Sequence, residues 1–221
     1  GITGSGKTEI YLQALQHVIS RGERGLVLVP EISMTPQMVR RFEERFPGKV
    51  AVLHSNLKRQ KYDQQWWKVW TGDADVVVGP RSALFAPQKD LGLIIIDEEH
   101  EWNYKQQEHT PRYHARETAL QLGRETRAVV VLGSATPDIA TYHDAQMEKH
   151  GLLELSQRVI DTSRVDNNYI VASSALADVE IVNMSTELSA GNRGIFSRSL
   201  QKNLKETIYS GHQAILFLNR R

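Results

Sequence analysis

Gly1-Ile2-Thr3-Gly4-Ser5-Gly6-Lys7-Thr8 satisfies the phosphate-loop pattern Gly-x-x-x-x-Gly-Lys-Ser/Thr at every position. Backbone N–H groups can wrap a polyphosphate only where glycines remove side chains that would block the approach. Gly1, Gly4 and Gly6 meet that need, with Ser5 between them. Lys7 then reaches the β- and γ-phosphates as a flexible point charge, and the Thr8 hydroxyl suits the magnesium ion bridging them. A second acidic cluster follows later. Leu93-Ile94-Ile95-Ile96 is a branched apolar run too short for a membrane span, and it leads directly into Asp97-Glu98-Glu99-His100. A buried parallel strand ending on these residues would place Asp97 to hold magnesium through water and Glu98 to polarise an attacking water. The expected catalytic residues are therefore Lys7, Asp97 and Glu98, and the chemistry is hydrolysis of a nucleoside triphosphate with Mg2+. An acidic cap where a strand meets solvent is the plainer alternative for residues 97–100.

Such residues need a sheet to converge on, and the apolar periodicity supplies one. Gly25 to Val29, Val50 to Leu53, Ala74 to Gly79, Leu93 to Ile96 and Ala128 to Gly133 read as strands. Between them fall helical stretches: Glu9 to Leu15 continuing from the phosphate loop, about Thr35 to Phe46, about Gln60 to Trp70, and Ala115 to Arg124. This alternation predicts an α/β fold, a RecA-like P-loop lobe with a parallel sheet covered by helices on both faces. Trp66, Trp67 and Trp70, at helical spacing, read as core or as an interface.

The 221 residues suit one α/β domain, or one domain and part of another, and 40% hydrophobic content is ample for a core. The absence of cysteine excludes disulfides and thiolate zinc ligation within this sequence. No segment is apolar for long enough to span a bilayer, and the start is a phosphate loop rather than a signal peptide, so no membrane association is expected and a cytoplasmic location is the default. The net charge of +1 creates no global field for nucleic acid, leaving local clusters to do any such binding. One such cluster follows the acidic motif. Trp102, Tyr104 and Tyr113 alternate there with Lys105, Arg112, His114 and Arg116, a mixture that can stack on unpaired bases and neutralise phosphates, or can simply pack against the lobe.

The order of polar signatures at the strand ends adds a resemblance. Phosphate loop, Val29-Pro30-Glu31-Ile32, Leu53-His54-Ser55, Arg81-Ser82-Ala83-Leu84-Phe85-Ala86-Pro87, Asp97-Glu98-Glu99-His100, Tyr104-Lys105-Gln106-Gln107, Arg112-Tyr113-His114-Ala115-Arg116, Gly133-Ser134-Ala135-Thr136, Gly191-Asn192-Arg193 and Ile215 to Arg221 together resemble the motor core of superfamily 2 helicases. Within these the sequence is similar to the PriA family of replication-restart helicases. The resemblance implies ATP-driven 3′-to-5′ translocation on single-stranded and forked DNA in restart of stalled forks, with primosome proteins and single-stranded-DNA-binding protein as partners in a bacterial cytoplasm. It implies DNA contacts by Arg81, Ser82 and Thr35, with Gln37 and His54 behind them, and tips Trp102, Tyr104, Lys105, Arg112 and Tyr113 toward a DNA-sensing loop. Coupling of hydrolysis to movement falls to His100, Ser134 and Thr136, although Ser134 and Thr136 can equally cap the helix expected from Pro137. It further implies a zinc site and second-lobe arginines outside these 221 residues, so no arginine finger is assigned here.

The lobe is expected to span 1–156, with an interlobe linker over 157–190 and the beginning of a second RecA-like lobe over 191–221. The linker is polar and aperiodic apart from a short strand at Val179 to Met184; the second lobe opens with a capped helix from Ser197 to Tyr209 and a strand from Ala214 to Leu218. Two lobes must close on one nucleotide, so these residues alone should bind ATP weakly and hydrolyse it poorly. Two other classes stand beside this reading: a P-loop enzyme acting on a small molecule, which would not respond to DNA, and a DNA-binding scaffold without ATPase activity.

Overall fold

The computed structural model describes residues 5–156, 164–165, 168–169 and 178–218. Gly1 to Gly4, half of the expected linker, and 219–221 lie outside the described residues.

A central sheet of five parallel strands has the order β2-β3-β1-β4-β5, where β1 is Arg24–Leu28, β2 Val50–Val52, β3 Val76–Gly79, β4 Leu91–Asp97 and β5 Val129–Gly133. Strands alternate with α1 (Lys7–Ser20), α2 (Pro36–Arg45), α3 (Arg59–Thr71) and α4 (Ala115–Thr126), and α5 (Ile139–Gln146) follows β5. This is the expected α/β arrangement, and its strand positions agree with the apolar runs to within about two residues.

Successive side chains on a strand point to opposite faces, so a strand buried on both sides must be apolar throughout. β4 obeys this rule. Ile94 and Ile96 join Leu26, Leu28, Val77, Val69 of α3 and Ala115 and Ala119 of α4 on one face. Leu93 and Ile95 join Val27, Val76, Val78, Tyr11, Leu12 and Leu15 of α1 and Phe42 of α2 on the other. Burial of each such aliphatic side chain contributes roughly 1.5–3 kcal/mol, which makes the two-faced sheet the dominant stabilising feature. β5 lies at the sheet edge, where Val129 is 61% exposed. On α3, Trp66 packs toward the core and stacks on Tyr62, whereas Trp67 and Trp70 face solvent.

Local chemistry sets the helix starts. Thr35 caps α2, its hydroxyl accepting from the Met38 amide at 3.2 Å, and Pro36 occupies the first turn where its missing N–H costs nothing. Asp138 caps α5 by accepting from Ala140 and Thr141. The helix after β5 therefore begins at Ile139 rather than Pro137, and neither Ser134 nor Thr136 is its cap.

The chain divides into two compact units, Gly1–Ser174 and Ala175–Arg221. At the end of the first, β6 (Arg164–Val165) and β7 (Asn168–Tyr169) form a short antiparallel pair inside the stretch expected to be the interlobe linker. In the second unit α6 (Met184–Ser189) and α7 (Arg198–Tyr209) are bridged by Glu187, whose carboxylate accepts from Asn192 at 2.7 Å and from the Arg198 amide at 3.0 Å. The helix expected from Ser197 is present, with Ser197 as its cap. The expected strands at 179–184 and 214–218 are not formed: 178–183 and 212–218 carry no regular structure, and Met184 begins a helix. A strand is stabilised by a neighbour's ladder, and the described residues of this unit offer none. No apolar side chain among its described residues is buried.

Candidate nucleotide site

Gly6 adopts φ 85°, a left-handed conformation that favours glycine, and turns the chain into α1 so that the helix N-terminus opens where Ser5, Lys7 and Thr8 lie. Ser5 is buried, and its hydroxyl has no hydrogen-bond partner among the described residues. Gly4, the remaining expected phosphate-loop contact, lies outside the described residues.

β4 delivers the acidic residues to the same place. Asp97 is its last residue, paired in register with Gly133 of β5. Glu98 then takes φ 48°, a left-handed turn uncommon for a side chain with a Cβ. This turn sends three consecutive side chains in three directions. Glu98 reaches Lys7, with Nζ 2.8 Å from Oε1. Glu99 enters the interior and is 2% exposed. His100 approaches the β5 end, where its Nδ1 lies 2.7 Å from Ser134 Oγ and its Nε2 3.4 Å from Thr136 Oγ1. The structure thus brings together all three residues expected to couple the two motifs.

A cavity of about 290 Å³ is lined by Thr8, Asp97 and Glu98 together with Ser33, Thr35, Gln37, Met38 and Arg41. Thr35 and Gln37, expected on the DNA-tracking side, therefore face the carboxylates as well. Glu31 and Ser55, from two of the strand-end segments, meet through a hydrogen bond donated by the Ser55 hydroxyl. Burial raises the pKa of Asp97, while a hydrogen bond from Tyr11 and the neighbouring Lys7 oppose that rise. Thr8 and Asp97 offer hard oxygen donors in one cavity, and among the described residues no group of three or more His, Cys, Asp or Glu could form an all-protein metal cage. That donor set fits magnesium, which keeps waters and binds through one or two protein oxygens plus phosphate.

The segment after the motif divides into exposed and buried parts. Trp102 is 68% exposed, and Lys105 and Arg112 are exposed, with Lys105 Nζ donating to the Arg112 carbonyl at 2.8 Å. Tyr113 is half-buried, edge-on to Phe85 with ring centroids 4.9 Å apart. Tyr104 corrects the expectation of a base-stacking residue. Its ring is 1% exposed and its hydroxyl donates to the Asp97 carbonyl at 2.6 Å, so both faces are occupied by protein. Arg81 donates to the Asn103 carbonyl at 2.6 Å and to Gln106 Oε1 at 3.0 Å, holding this segment in place; Ser82 beside it is exposed.

Two participants carried no signal in the sequence. Tyr11 read as one more residue of a helix, and Glu99 as a member of the acidic motif with no role of its own. In the structure Tyr11 Oη donates to Asp97 Oδ1 at 2.9 Å, and Glu99 accepts from Arg116, Thr141 and the Asp138 amide.

A phosphate-loop helix start, a strand-end Asp-Glu pair and a histidine bridging to the next strand end are the parts of a P-loop nucleotide-site lobe. The family model described as DEAD/DEAH box helicase matches residues 1–145, and the chain belongs to that family. Among curated relatives, the replication restart protein PriA of Bacillus subtilis (strain 168) is 50% identical over 222 residues, covering 100% of this chain and 26% of its own. The replication restart protein PriA of Synechocystis is 45% identical over 226 residues, again with 100% and 26% coverage. The chain thus spans about a quarter of the length of these relatives. A solved structure of RecG bound to a three-way DNA junction aligns with TM-score 0.47 and 24% identity, covering 66% of this chain and 18% of that one. Among the described residues no helix is long and apolar enough to cross a membrane.

Proposed function

We propose that this chain is part of the motor core of an ATP-dependent DNA helicase that translocates 3′-to-5′ and acts in the restart of stalled replication forks. The observation that carries the reading is the convergence of Lys7, Thr8, Asp97 and Glu98 on one site, bridged through His100 to Ser134 and Thr136. The PriA relatives support the restart role.

In this reading the helix N-terminus at Gly6 to Thr8 receives the phosphates, and Lys7 exchanges its Glu98 partner for their oxygens. Thr8 and Asp97 would hold magnesium, which would supply neutralisation of charge on the phosphates. Glu98, released from Lys7, orients the attacking water and accepts its proton. His100 carries the change at the strand end to Ser134 and Thr136, which couple it to movement of a second lobe. Trp102, Lys105, Arg112 and Tyr113 lie on the exposed side of the segment that follows, placed to meet bases and phosphates of a single strand, with Ser82 and Arg81 adjoining. The lobe at 1–156, linker at 157–190 and beginning of a second lobe at 191–221 belong to the same proposal. So do a zinc site outside these residues, primosome proteins and single-stranded-DNA-binding protein as partners, and a bacterial cytoplasmic location.

The test is ATP hydrolysis by the intact protein with and without single-stranded DNA, beside Glu98→Gln. Strong stimulation by DNA that disappears in the variant is expected; hydrolysis indifferent to DNA would favour a P-loop enzyme acting on a small molecule.

A further inference from the structure

Tyr11 stands where three parts of the site meet. It lies one helical turn beyond Thr8 on α1, so the two hydroxyl-bearing side chains share a helix face. Its ring is 4% exposed among the aliphatics of β1, β3 and β4. Its Oη donates to Asp97 Oδ1 at 2.9 Å. It also rests against Gly133, where a Cβ would come within 1.8 Å of the hydroxyl. Gly133 is the register partner of Asp97, so Tyr11 spans the ends of both strands.

A carboxylate at a strand end can rotate about its Cβ–Cγ bond, and beside Asp97 the Lys7 ammonium is already paired with Glu98. The bond to Tyr11 opposes that rotation at a residue that lines the cavity together with Thr8. Tyr104 acts differently, because its hydroxyl holds the main-chain carbonyl of Asp97 and leaves the carboxylate alone.

We propose that Tyr11 is a positioning residue for magnesium–nucleotide binding: its hydroxyl, seated over the bare backbone of Gly133, orients the Asp97 carboxylate relative to Thr8. The proposal rests on the reading of Asp97 as the magnesium-holding carboxylate. Partners that orient a metal-holding group are worth about 10–100-fold in metal affinity, and the lower end applies where water intervenes.

The experiment titrates Mg2+ against a fluorescent N-methylanthraniloyl-ADP probe in the intact protein, for wild type, Tyr11→Phe and Tyr104→Phe. Tyr11→Phe is expected to raise the Mg2+ midpoint about tenfold, with nucleotide affinity in EDTA changed by less than about twofold. Tyr104→Phe is expected to leave the midpoint within about twofold of wild type. An unshifted midpoint in Tyr11→Phe, even with a lowered melting temperature, overturns the proposal and leaves Tyr11 as a core residue. An equal shift in both variants also overturns it, because the effect then runs through the strand end as a whole. Nucleotide binding that is independent of Mg2+ in wild type removes the reading of Asp97 itself, an outcome visible before any variant is compared.

Discussion

The Glu99 carboxylate and the Arg116 guanidinium meet at 2.9 Å, with the Glu99 side chain 1% exposed and that of Arg116 15%. The same carboxylate accepts from the Asp138 amide at 2.7 Å and from Thr141 Oγ1 at 3.2 Å. One buried charge therefore ties the end of β4 to the starts of α4 and α5. Its burial is tolerable only because the described bonds satisfy both oxygens.

Removing Glu99 leaves the Asp138 amide without its acceptor while Arg116 keeps Glu117 and Asp138, so Glu99→Ala is expected to destabilise the fold by roughly 1–3 kcal/mol. Replacing both, as Glu99→Leu with Arg116→Met, should recover only part of that loss. Urea unfolding of the single and double variants measures this; a single variant within about 0.5 kcal/mol of wild type would mean that solvent reaches Glu99.

Gly133→Ala places a methyl group 1.8 Å from Tyr11 Oη and 2.9 Å from its Cζ, so the ring must shift. Overpacking of this kind costs about 1–3 kcal/mol. Combining it with Tyr11→Phe removes the nearest atom and should restore part of the stability, a coupling that thermal melts of the double-mutant cycle would reveal. Additive losses would show that the two residues relax independently.

Arg81 holds the segment Trp102–Tyr104 and its continuation through the Asn103 carbonyl and Gln106 side chain. Arg81→Ala should therefore weaken amide protection across 102–106, and Arg81→Lys should restore little, because an ammonium lacks the planar fork that reaches both acceptors. Hydrogen exchange by mass spectrometry reads the difference. Unchanged protection in Arg81→Ala would place the hold on this segment in Tyr104 and the backbone pairing with 113–114.

His114 caps α4 with Nδ1, which accepts from the Arg116 amide at 3.2 Å. Burial, and next the positive charge of Arg116, push its pKa below the usual imidazole value. The folded state thus disfavours the proton more than the unfolded state does. The stabilisation is fully present above the unfolded value of about 6.5 and is lost as pH falls below it toward the folded value. His114→Asn keeps a capping acceptor without the titration, so its stability should be flatter from neutral pH to pH ~5, whereas His114→Ala should lose about 1 kcal/mol at neutral pH. Parallel wild-type and His114→Asn curves would assign the slope to other groups.

Apolar periodicity made the five strands and the four helices between and beside them legible, because each strand is buried on both faces and each helix on one. The phosphate loop and the Asp97-Glu98 pair were legible for a similar reason: their geometry is local to a helix start and a strand end. Residues 214–218 were misread as a strand because their composition is right for one while the ladder they would need is not among the described residues.

Beyond the strand ends, periodicity stops and tertiary structure decides. The left-handed turn at Glu98, φ 48°, determines which of three neighbouring polar side chains meets Lys7, which is buried against Arg116 and which touches Ser134. Tyr104 and Trp102 are two residues apart in one aromatic, basic segment, yet one is core and the other exposed. The sequence by itself determined the central sheet and the helices that cover its two faces, since these follow from residue types at fixed spacing. The roles of Tyr11, Glu99 and Tyr104 were set by the packing of distant elements, because a side chain's direction after an irregular turn has no period to read.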